Sequence, residues 1–274
     1  MVVNSDKAIS SLKAIGTPEA DIRDLFRFRY KIDYDQTKLG RLYMMPERFN
    51  NDLEVLAAGY PPAYLIGFVD FYHQHIEVNP HVLIPRPETE ELMEIVEQRQ
   101  KKTLINSALD LCCGSGCIAI SLKHIFPHAT IYASDYSPYA IQTTQQNCDI
   151  NKKEVNIVLT SFLHYFVEHN MRFDLIVCNP PYIKTSEVLD ASLGYEPQDA
   201  LYSGEDGLNA FRSIFSDLND VLSEHGVAYF EIEASNSNET VALVREALPQ
   251  YNCEVIQDLT RRDRFIRLTK SYNQ

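Results

Sequence analysis

The chain has 274 residues, of which 45% are hydrophobic and 23% charged, and a formal net charge of −13. This length allows one large domain or two smaller ones, and the composition is typical of a globular protein. No apolar run approaches the roughly 18 residues of a membrane-spanning helix, so no membrane partner is expected. Most of the acidity falls after residue 80, whereas nucleic-acid-binding proteins usually carry a basic surface, which argues against direct nucleic-acid binding.

Six cysteines are present, three of them close together at Cys112, Cys113 and Cys117. No CxxC pair occurs and no histidine pair has zinc-ligand spacing, so we predict no functional metal. The length excludes a small disulfide scaffold. The first residues show no basic segment followed by an apolar core, so no signal peptide is predicted. A reducing cytoplasm is the simplest location for such a chain, and we expect a monomer.

Residues 5–58 carry helical patterns without a strand signal, so we predict a small helical domain over residues 1–62. Thr17 is interpreted as a helix cap with Pro18 at the first helical position, and Pro46 is expected to open another helix. A basic cluster in this segment is interpreted as one solvated helix face. It consists of Arg23, Arg27, Arg29 and Lys31.

The pattern then becomes strand-like, and residues 64–72 and 75–78 are predicted to form a hairpin. We assign residues 63–80 as a segment that links two domains. Arg86 follows between two prolines, just before a helix whose first turn is acidic. Two roles are open for Arg86: contact with a substrate or acidic partner, or a structural salt bridge.

From residue 104 onward, short apolar runs alternate with helical stretches, which is typical of a doubly wound, mostly parallel sheet. We therefore predict an α/β fold with seven strands in a domain covering residues 81–274. The predicted strands are 107–111, 129–134, 154–160, 173–178, 226–232, 253–257 and 264–269. The predicted helices are 116–126, 138–150, 205–222 and 238–248.

A glycine turn follows the first of these strands, in the stretch Cys112-Cys113-Gly114-Ser115-Gly116. Gly114 and Gly116 let the backbone approach a ligand closely and let the next helix start beside the strand, so a nucleotide-type cofactor is predicted here. Asp135 ends the following strand, where a carboxylate can accept hydrogen bonds from both ribose hydroxyls.

The apolar run 173–178 is followed by Asn179-Pro180-Pro181-Tyr182. Because neither proline can donate to a strand ladder, the strand ends with Asn179 at its carboxyl end, where open α/β sheets bind ligands. The Asn179 side-chain oxygen and the Pro180 carbonyl can each accept one hydrogen of an NH₂ group. Tyr182 can cover the plane of that group by stacking. The alternative interpretation is that these four residues form only a turn.

Hydride and phosphate transfer do not require an NH₂ clamp at this place, whereas methyl transfer to nitrogen does. The glycine turn, Asp135 and residues 179–182 resemble those of class I S-adenosylmethionine-dependent methyltransferases. Further motifs resemble the release factor glutamine methyltransferases, and the resemblance covers about residues 52–270. These motifs are Leu83 to Glu90, Glu196-Pro197 with Ala200-Leu201, Gly204 to Gly207, and Asp263-Arg264.

The resemblance implies S-adenosylmethionine as cofactor and, as substrate, the glutamine of the Gly-Gly-Gln motif of class 1 peptide chain release factors. It assigns catalysis to Asn179, Pro180 and Tyr182, and substrate contacts to these three with Pro181 and Arg86. The cofactor contacts that it implies are Cys112, Cys113, Gly114, Ser115, Gly116, Asp135, Phe162, Leu163 and Asn179.

Three short stretches depart from the family pattern. Cys112 and Cys113 replace the first loop glycine and its neighbour. Ser161-Phe162-Leu163 stands where the family usually has Ser-Asp-aromatic, so apolar contact is expected to replace an acidic contact near the adenine. Glu231-Ile232-Glu233 departs from Glu-Ile-Gly.

Three alternative functions remain open. One is methylation of a glutamine in a large-subunit ribosomal protein, since a cysteine in place of the first loop glycine also occurs in those sister enzymes. Another is methylation of an exocyclic amine in nucleic acid. The third is a domain that binds a partner without turnover, which cofactor binding would distinguish from the enzymes.

Overall fold

The computed structural model describes residues 3–271, which form an N-terminal helical segment, a hairpin and a seven-stranded α/β unit. The helices are α1 Ser5–Ala14, α2 Glu19–Asp24, α3 Tyr34–Lys38, α4 Phe49–Ala57, α5 Pro62–Ile66, α6 Pro87–Gln100, α7 Cys117–Ile125, α8 Pro138–Asn151, α9 His164–Glu168, α10 Asn209–Val221 and α11 Ser237–Ala247. The strands are β1 Phe68–Phe71, β2 Gln74–Glu77, β3 Ser107–Leu111, β4 Thr130–Asp135, β5 Asn156–Leu159, β6 Phe173–Cys178, β7 Leu222–Glu231, β8 Tyr251–Gln257 and β9 Asp263–Lys270. None of the helices in this part of the chain is long and apolar enough to span a bilayer.

The large sheet has the strand order β5-β4-β3-β6-β7-β9-β8, in which β9 alone runs antiparallel to its neighbours. This confirms the predicted doubly wound, mostly parallel sheet. The strand order reverses between β3 and β6, and open α/β sheets bind ligands at such a point. Leu111 pairs with Cys178 in the register of these two strands. The glycine turn and the Asn-Pro-Pro-Tyr segment therefore leave the sheet side by side.

Hydrophobic clusters cover both faces of the sheet, as the apolar strands predict. Successive residues of β6 alternate between them: Leu175 and Val177 pack in one cluster, and Ile176 and Cys178 in the other. All four side chains are fully buried. The carboxyl end of β6 is thus fixed from both sides, which holds the residue that follows it in a defined place.

The predicted hairpin begins later than expected. Residues 62–66 form helix α5, which starts at Pro62 and ends at Gly67, a glycine with a φ of 95°. A proline in the first turn and a left-handed glycine at the end are helix-boundary signals, and they override the strand-like alternation that began at residue 64. The hairpin pairs Phe68–Phe71 with Gln74–Glu77 and packs on α8, where Asn147 exchanges two hydrogen bonds with Glu77.

Other boundaries differ from the predictions for local reasons. Helix α2 starts at Glu19 with Pro18 as the capping residue, so Thr17 does not cap it. Helix α4 starts at Phe49 rather than at Pro46. Helix α10 ends at Val221, because Leu222 already pairs with β6 in strand β7.

The basic cluster is not one solvated face. Arg29 forms a two-pronged salt bridge with Asp52, whose side chain is only 6% exposed. A buried carboxylate requires a charged partner, and Arg29 supplies it from the π-helical turn Leu25–Arg29. This pair ties that turn to α4 inside the core of the N-terminal segment.

The N-terminal segment contacts the rest of the chain through a loop whose residues Ala191–Tyr195 form a 3₁₀ helix. The ring of Tyr60 packs edge-on against Tyr195, whose hydroxyl donates to the carbonyl of Ala58. The same loop leads into Glu196, which belongs to the site described below. The division into domains at residues 62 and 80 remains a prediction.

Candidate active site

A cavity of about 680 Å³ opens at the carboxyl ends of β3, β4 and β6. Its volume lies in the range of small-molecule and cofactor sites. The predicted site residues that line it are Arg86, Cys112, Cys113, Gly114, Ser115, Asp135, Phe162, Asn179 and Pro181. Four other predicted site residues do not belong to its lining in the described part of the chain: Gly116, Leu163, Pro180 and Tyr182.

Gly116 has a packing role rather than direct exposure to the cavity. Its φ is 80°, and a Cβ atom there would lie 2.7 Å from the side chain of Thr144 on α8. Only glycine allows this approach. The glycine turn therefore places the start of α7 against α8, and the cavity wall is made by Gly114 and Ser115.

The structure explains why the family pattern has a glycine where this chain has Cys112. Cys112 has a φ of 62°, in the left-handed region that glycine adopts without strain. Cys113 is buried, and its thiol lies 3.3 Å from the hydroxyl of Thr144. Burial raises the pKa of the Cys113 thiol well above its ordinary value. Cys113 is therefore an inert thiol that contributes packing and a weak hydrogen bond.

Asp135 joins the glycine turn to the end of β4. One carboxylate oxygen accepts from the backbone N–H of Gly114 at 3.0 Å, and the other accepts from that of Ser137 at 2.9 Å. Each carboxylate oxygen has two lone pairs, so each retains one for a ligand hydroxyl. Burial raises the pKa of Asp135, while the backbone donors act in the opposite direction.

The cavity offers polar groups that suit a nucleoside cofactor. Ser134 lines it, and the buried Ser134 hydroxyl has no hydrogen-bond partner within residues 3–271. A buried hydroxyl without a partner is costly, and a polar ligand group at this place would satisfy it. Together with the free lone pairs of Asp135, it fits the hydroxyl-rich ribose of S-adenosylmethionine. No cluster of metal-ligating side chains was found in the described residues.

The side chains of Phe162 and Leu163 lie in different environments. Phe162 lines the cavity with a φ of 44°, in the left-handed region, so the chain turns sharply here. Leu163 is fully buried in the core beneath. The expected apolar contact with the cofactor is thus available from the side chain of Phe162, whereas the side chain of Leu163 packs in the core, and the assignment of Leu163 to the cofactor site remains a prediction.

Arg86 forms the structural salt bridge that was one of its two possible roles. Its guanidinium pairs with Glu196, a carboxylate that is 2% exposed and also accepts from the backbone N–H of Ile84 at 3.0 Å. The pair joins the segment before α6 to the loop that begins at residue 196. Arg86 also lines the cavity, so this bridge shapes the wall of the site.

The amide clamp, defined as the Asn179 side-chain oxygen and the Pro180 carbonyl, lies at the end of β6. The Asn179 NH₂ group donates to the hydroxyl of Thr89 at 3.1 Å. This contact occupies the NH₂ group within the protein, so the side-chain oxygen is left for a ligand. No residue in the described range donates to the Pro180 carbonyl. Neither predicted acceptor receives a hydrogen bond within residues 3–271, and Asn179 lines the cavity whereas Pro180 is buried and does not.

Tyr182 is not among the described residues that line the cavity, and its predicted stacking on a substrate amide remains a prediction. It packs against the core, and its hydroxyl donates to Glu231 at 2.8 Å. Burial, reinforced by the negative charge of Glu231, holds the pKa of Tyr182 well above its ordinary value. Tyr182 is thus tied through its hydroxyl to the buried carboxylate of Glu231.

Sequence reasoning missed several residues of the site. Thr89 and Glu231 stood inside motifs of the family resemblance, but nothing in their spacing indicated that they meet. Tyr136 lines the cavity, and its hydroxyl donates to Asp199, which also lines it. His81 stacks on Tyr139 at the same rim, with ring centroids 4.5 Å apart. These contacts join segments that are distant along the chain, so a local pattern could not reveal them.

The chain is similar to known methyltransferases in both sequence and structure. Residues 88–194 match the family model of the methyltransferase small domain. The release factor glutamine methyltransferase of Lactococcus lactis is 31% identical over 93% of this chain and 98% of that protein. The enzyme of the same name from Thermodesulfovibrio yellowstonii is 38% identical over 77% of each chain. The crystal structure of ribosomal protein L11 methylase from Lactobacillus delbrueckii, 17% identical, aligns with a TM-score of 0.53 over 72% of this chain and 86% of that one, which shows a shared fold.

The sheet, the glycine turn tied to Asp135 and the similarity to known methyltransferases define an S-adenosylmethionine-dependent methyltransferase of class I. The chain belongs to the release factor glutamine methyltransferase family, since the similarity extends over nearly the whole length of the Lactococcus enzyme.

Proposed function

We propose that this protein transfers a methyl group from S-adenosylmethionine to the side-chain amide nitrogen of the glutamine in the Gly-Gly-Gln motif of class 1 release factors. The observation that carries the proposal is the orientation of Asn179, whose NH₂ group is held by Thr89. Its side-chain oxygen is therefore available to a substrate amide beside the cofactor cavity.

The clamp addresses the chemical difficulty of the reaction. An amide nitrogen is a poor nucleophile, because its lone pair is delocalised into the carbonyl. S-adenosylmethionine supplies a methyl group already activated by a sulfonium, so the protein must mainly aim the nitrogen. Holding a reactant in the productive geometry lowers a barrier by roughly 7–11 kcal/mol.

Asn179 and Pro180 serve both orientation and charge. By accepting one amide hydrogen each, they fix the direction of the nitrogen and draw electron density toward it. Their partial negative charges also stabilise the positive charge that develops on the nitrogen during transfer. No general base is assigned, since the proton can leave after the methyl group has been transferred.

The cofactor is proposed to lie along the wall formed by Cys112, Gly114 and Ser115, with Asp135 on its ribose hydroxyls and Phe162 against its adenine. Asp135 supports this placement because it faces the cavity with a free lone pair on each oxygen. Arg86 is proposed to act on the substrate indirectly. Its salt bridge with Glu196 shapes the part of the cavity wall that the substrate would meet.

The proposed function is tested by incubating the protein with labelled S-adenosylmethionine and three substrates: a class 1 release factor, total large-subunit ribosomal protein, and nucleic acid. We expect label in the release factor only. Label in a ribosomal protein or in nucleic acid alone would assign the enzyme to one of the alternative substrates.

We further propose that the protein acts as a monomer in the cytoplasm. Its N-terminal segment is proposed to bind the release factor. It exposes three apolar side chains close together in sequence, Leu39, Leu42 and Met44, which are 79%, 58% and 62% exposed. A large exposed apolar patch often marks a protein-binding site, and three exposed apolar side chains within six residues support this role.

Replacing both Leu39 and Leu42 by serine is expected to raise the KM for the release factor by about fivefold or more, since truncating an interface anchor costs about 1 kcal/mol or more. Cofactor affinity, measured by calorimetry, should be unchanged. Leu104→Ser is the matched control, because Leu104 is 80% exposed but precedes β3 at the opposite end of the sheet. If the wild-type protein and the double variant at Leu39 and Leu42 have equal KM values, the N-terminal segment has another role.

A further inference from the structure

A chain of buried hydrogen bonds lies behind the amide clamp. The Asn179 NH₂ group donates to the Thr89 hydroxyl at 3.1 Å, and that hydroxyl donates to Glu231 at 2.7 Å. The other oxygen of Glu231 accepts from Tyr182 at 2.8 Å. Thr89 and Glu231 are 2% and 1% exposed, so these bonds are shielded from water. We call Asn179, Thr89, Glu231 and Tyr182 the clamp relay.

The direction of the relay follows from the chemistry of its members. An ionised carboxylate only accepts hydrogen bonds, so Glu231 receives the single hydroxyl proton of Thr89. The Thr89 oxygen can then only accept from Asn179, which must present its NH₂ group. The nitrogen and oxygen ends of a carboxamide have nearly the same shape, so packing alone does not choose between them. The charge of Glu231 makes this choice.

We propose that Thr89 and Glu231 are positioning residues that orient the Asn179 carboxamide, so that its oxygen and not its NH₂ group faces the substrate amide. This inference rests on the proposed function, in which that oxygen accepts a substrate hydrogen. With the carboxamide reversed, two NH₂ groups would face each other and the nitrogen would not be held.

Proton uptake by Glu231 would reverse the direction of the hydrogen bonds in the clamp relay. A protonated Glu231 can donate to Thr89, whose hydroxyl can then donate to the Asn179 oxygen and turn the NH₂ group toward the substrate. The groups around Glu231 are Glu88 and Thr89 of α6, Tyr182, Arg264 of β9 and Cys117 of α7. Burial raises the pKa of Glu231, while the bonds from Thr89 and Tyr182 and the charge of Arg264 oppose this. The rate at saturating substrates is therefore expected to fall toward acid pH at a pH above that of an ordinary glutamate.

The test compares three variants in single-turnover methylation at saturating cofactor and release factor. Thr89→Val removes the hydroxyl without changing size and should lower the rate about tenfold, the fold-change for one neutral hydrogen bond at the upper end of its range. Thr89→Ser restores the hydroxyl and should recover most of the rate. Glu231→Gln should be slow at neutral pH and should lack the acid-side fall. Cofactor affinity should not change in any of them.

Thr240→Val is the matched control, since Thr240 is a fully buried threonine on α11 whose hydroxyl bonds to the Asn236 carbonyl outside the relay. It should lower the melting temperature while the rate per folded molecule stays at the wild-type value. A wild-type rate in folded Thr89→Val, or an unchanged acid-side fall in Glu231→Gln, overturns the relay.

A second readout does not depend on methylation. The NMR signals of the Asn179 NH₂ group, identified by their loss in Asn179→Asp, should shift as Glu231 takes up a proton and should not shift in Thr89→Val. If the wild-type protein fails to methylate the release factor, the proposed function fails while this readout still tests the relay. Signals that are insensitive to pH, or that shift equally in Thr89→Val, contradict it.

Discussion

Asn179→Ala is expected to lower single-turnover methylation of a release factor by about 10²–10³, the cost of losing one positioned polar group in a preorganised site. The alanine removes the acceptor for the substrate amide and also frees the Thr89 hydroxyl. Cofactor affinity should fall much less, because the ribose and adenine contacts proposed for Asp135 and Phe162 remain.

The competing turn interpretation predicts the opposite result for this variant. If Asn179 only ends a strand, Asn179→Ala should melt at a lower temperature and retain its turnover per folded molecule. Asn179→Asp sharpens the comparison. It keeps an acceptor and the size of the side chain, but it loses the donor to Thr89 and adds a charge beside the sulfonium. The rate and the melting temperature are recorded together, and a stable Asn179→Ala protein with near-normal turnover supports the turn.

Asp135→Ala is expected to weaken S-adenosylmethionine binding by at least about 1.5–3 kcal/mol, the range for hydrogen bonds to a charged group. This corresponds to roughly tenfold or more in the dissociation constant measured by calorimetry. The alanine also removes the acceptor for the N–H groups of Gly114 and Ser137, so part of the loss comes from a loosened glycine turn.

An analogue of the cofactor product that lacks both ribose hydroxyls separates these two contributions. The wild-type protein should bind the analogue more weakly than it binds S-adenosylhomocysteine, whereas Asp135→Ala should bind the two with similar affinity. If the wild-type protein does not distinguish the analogue, Asp135 does not contact the ribose and serves only to hold the turn.

The sheet could be predicted because its central strands are buried on both faces and therefore apolar throughout. The run 173–178 has the bounds of β6, and 107–111 those of β3. Boundaries failed where tertiary pairing decided them. Leu222 follows a helix without a break, and its strand character depends on pairing with Phe173 of β6. The strand signal at residue 64 failed because the helix boundaries at Pro62 and Gly67 were stronger.

The positions of Asn179 and Asp135 could be predicted, because each is fixed by the end of a single strand. The site was not predictable where function depends on a partner from another segment. Thr89 on α6 and Glu231 on β7 are 142 residues apart in sequence and 2.7 Å apart in the structure. The hydrogen bond from Tyr182 to Glu231 was not predictable for the same reason, since the two residues are 49 apart in sequence.

Mapping of the transferred methyl group tests the central claim most directly. The protein is incubated with S-adenosylmethionine and a class 1 release factor, and the product is digested and sequenced by mass spectrometry. A matched release factor carries glutamate in place of the glutamine of its Gly-Gly-Gln motif, which keeps the side-chain length and removes the amide nitrogen. We expect one methyl group on the amide nitrogen of that glutamine, and none on the matched variant. Methylation at any other position, or equal methylation of the two release factors, would contradict the account.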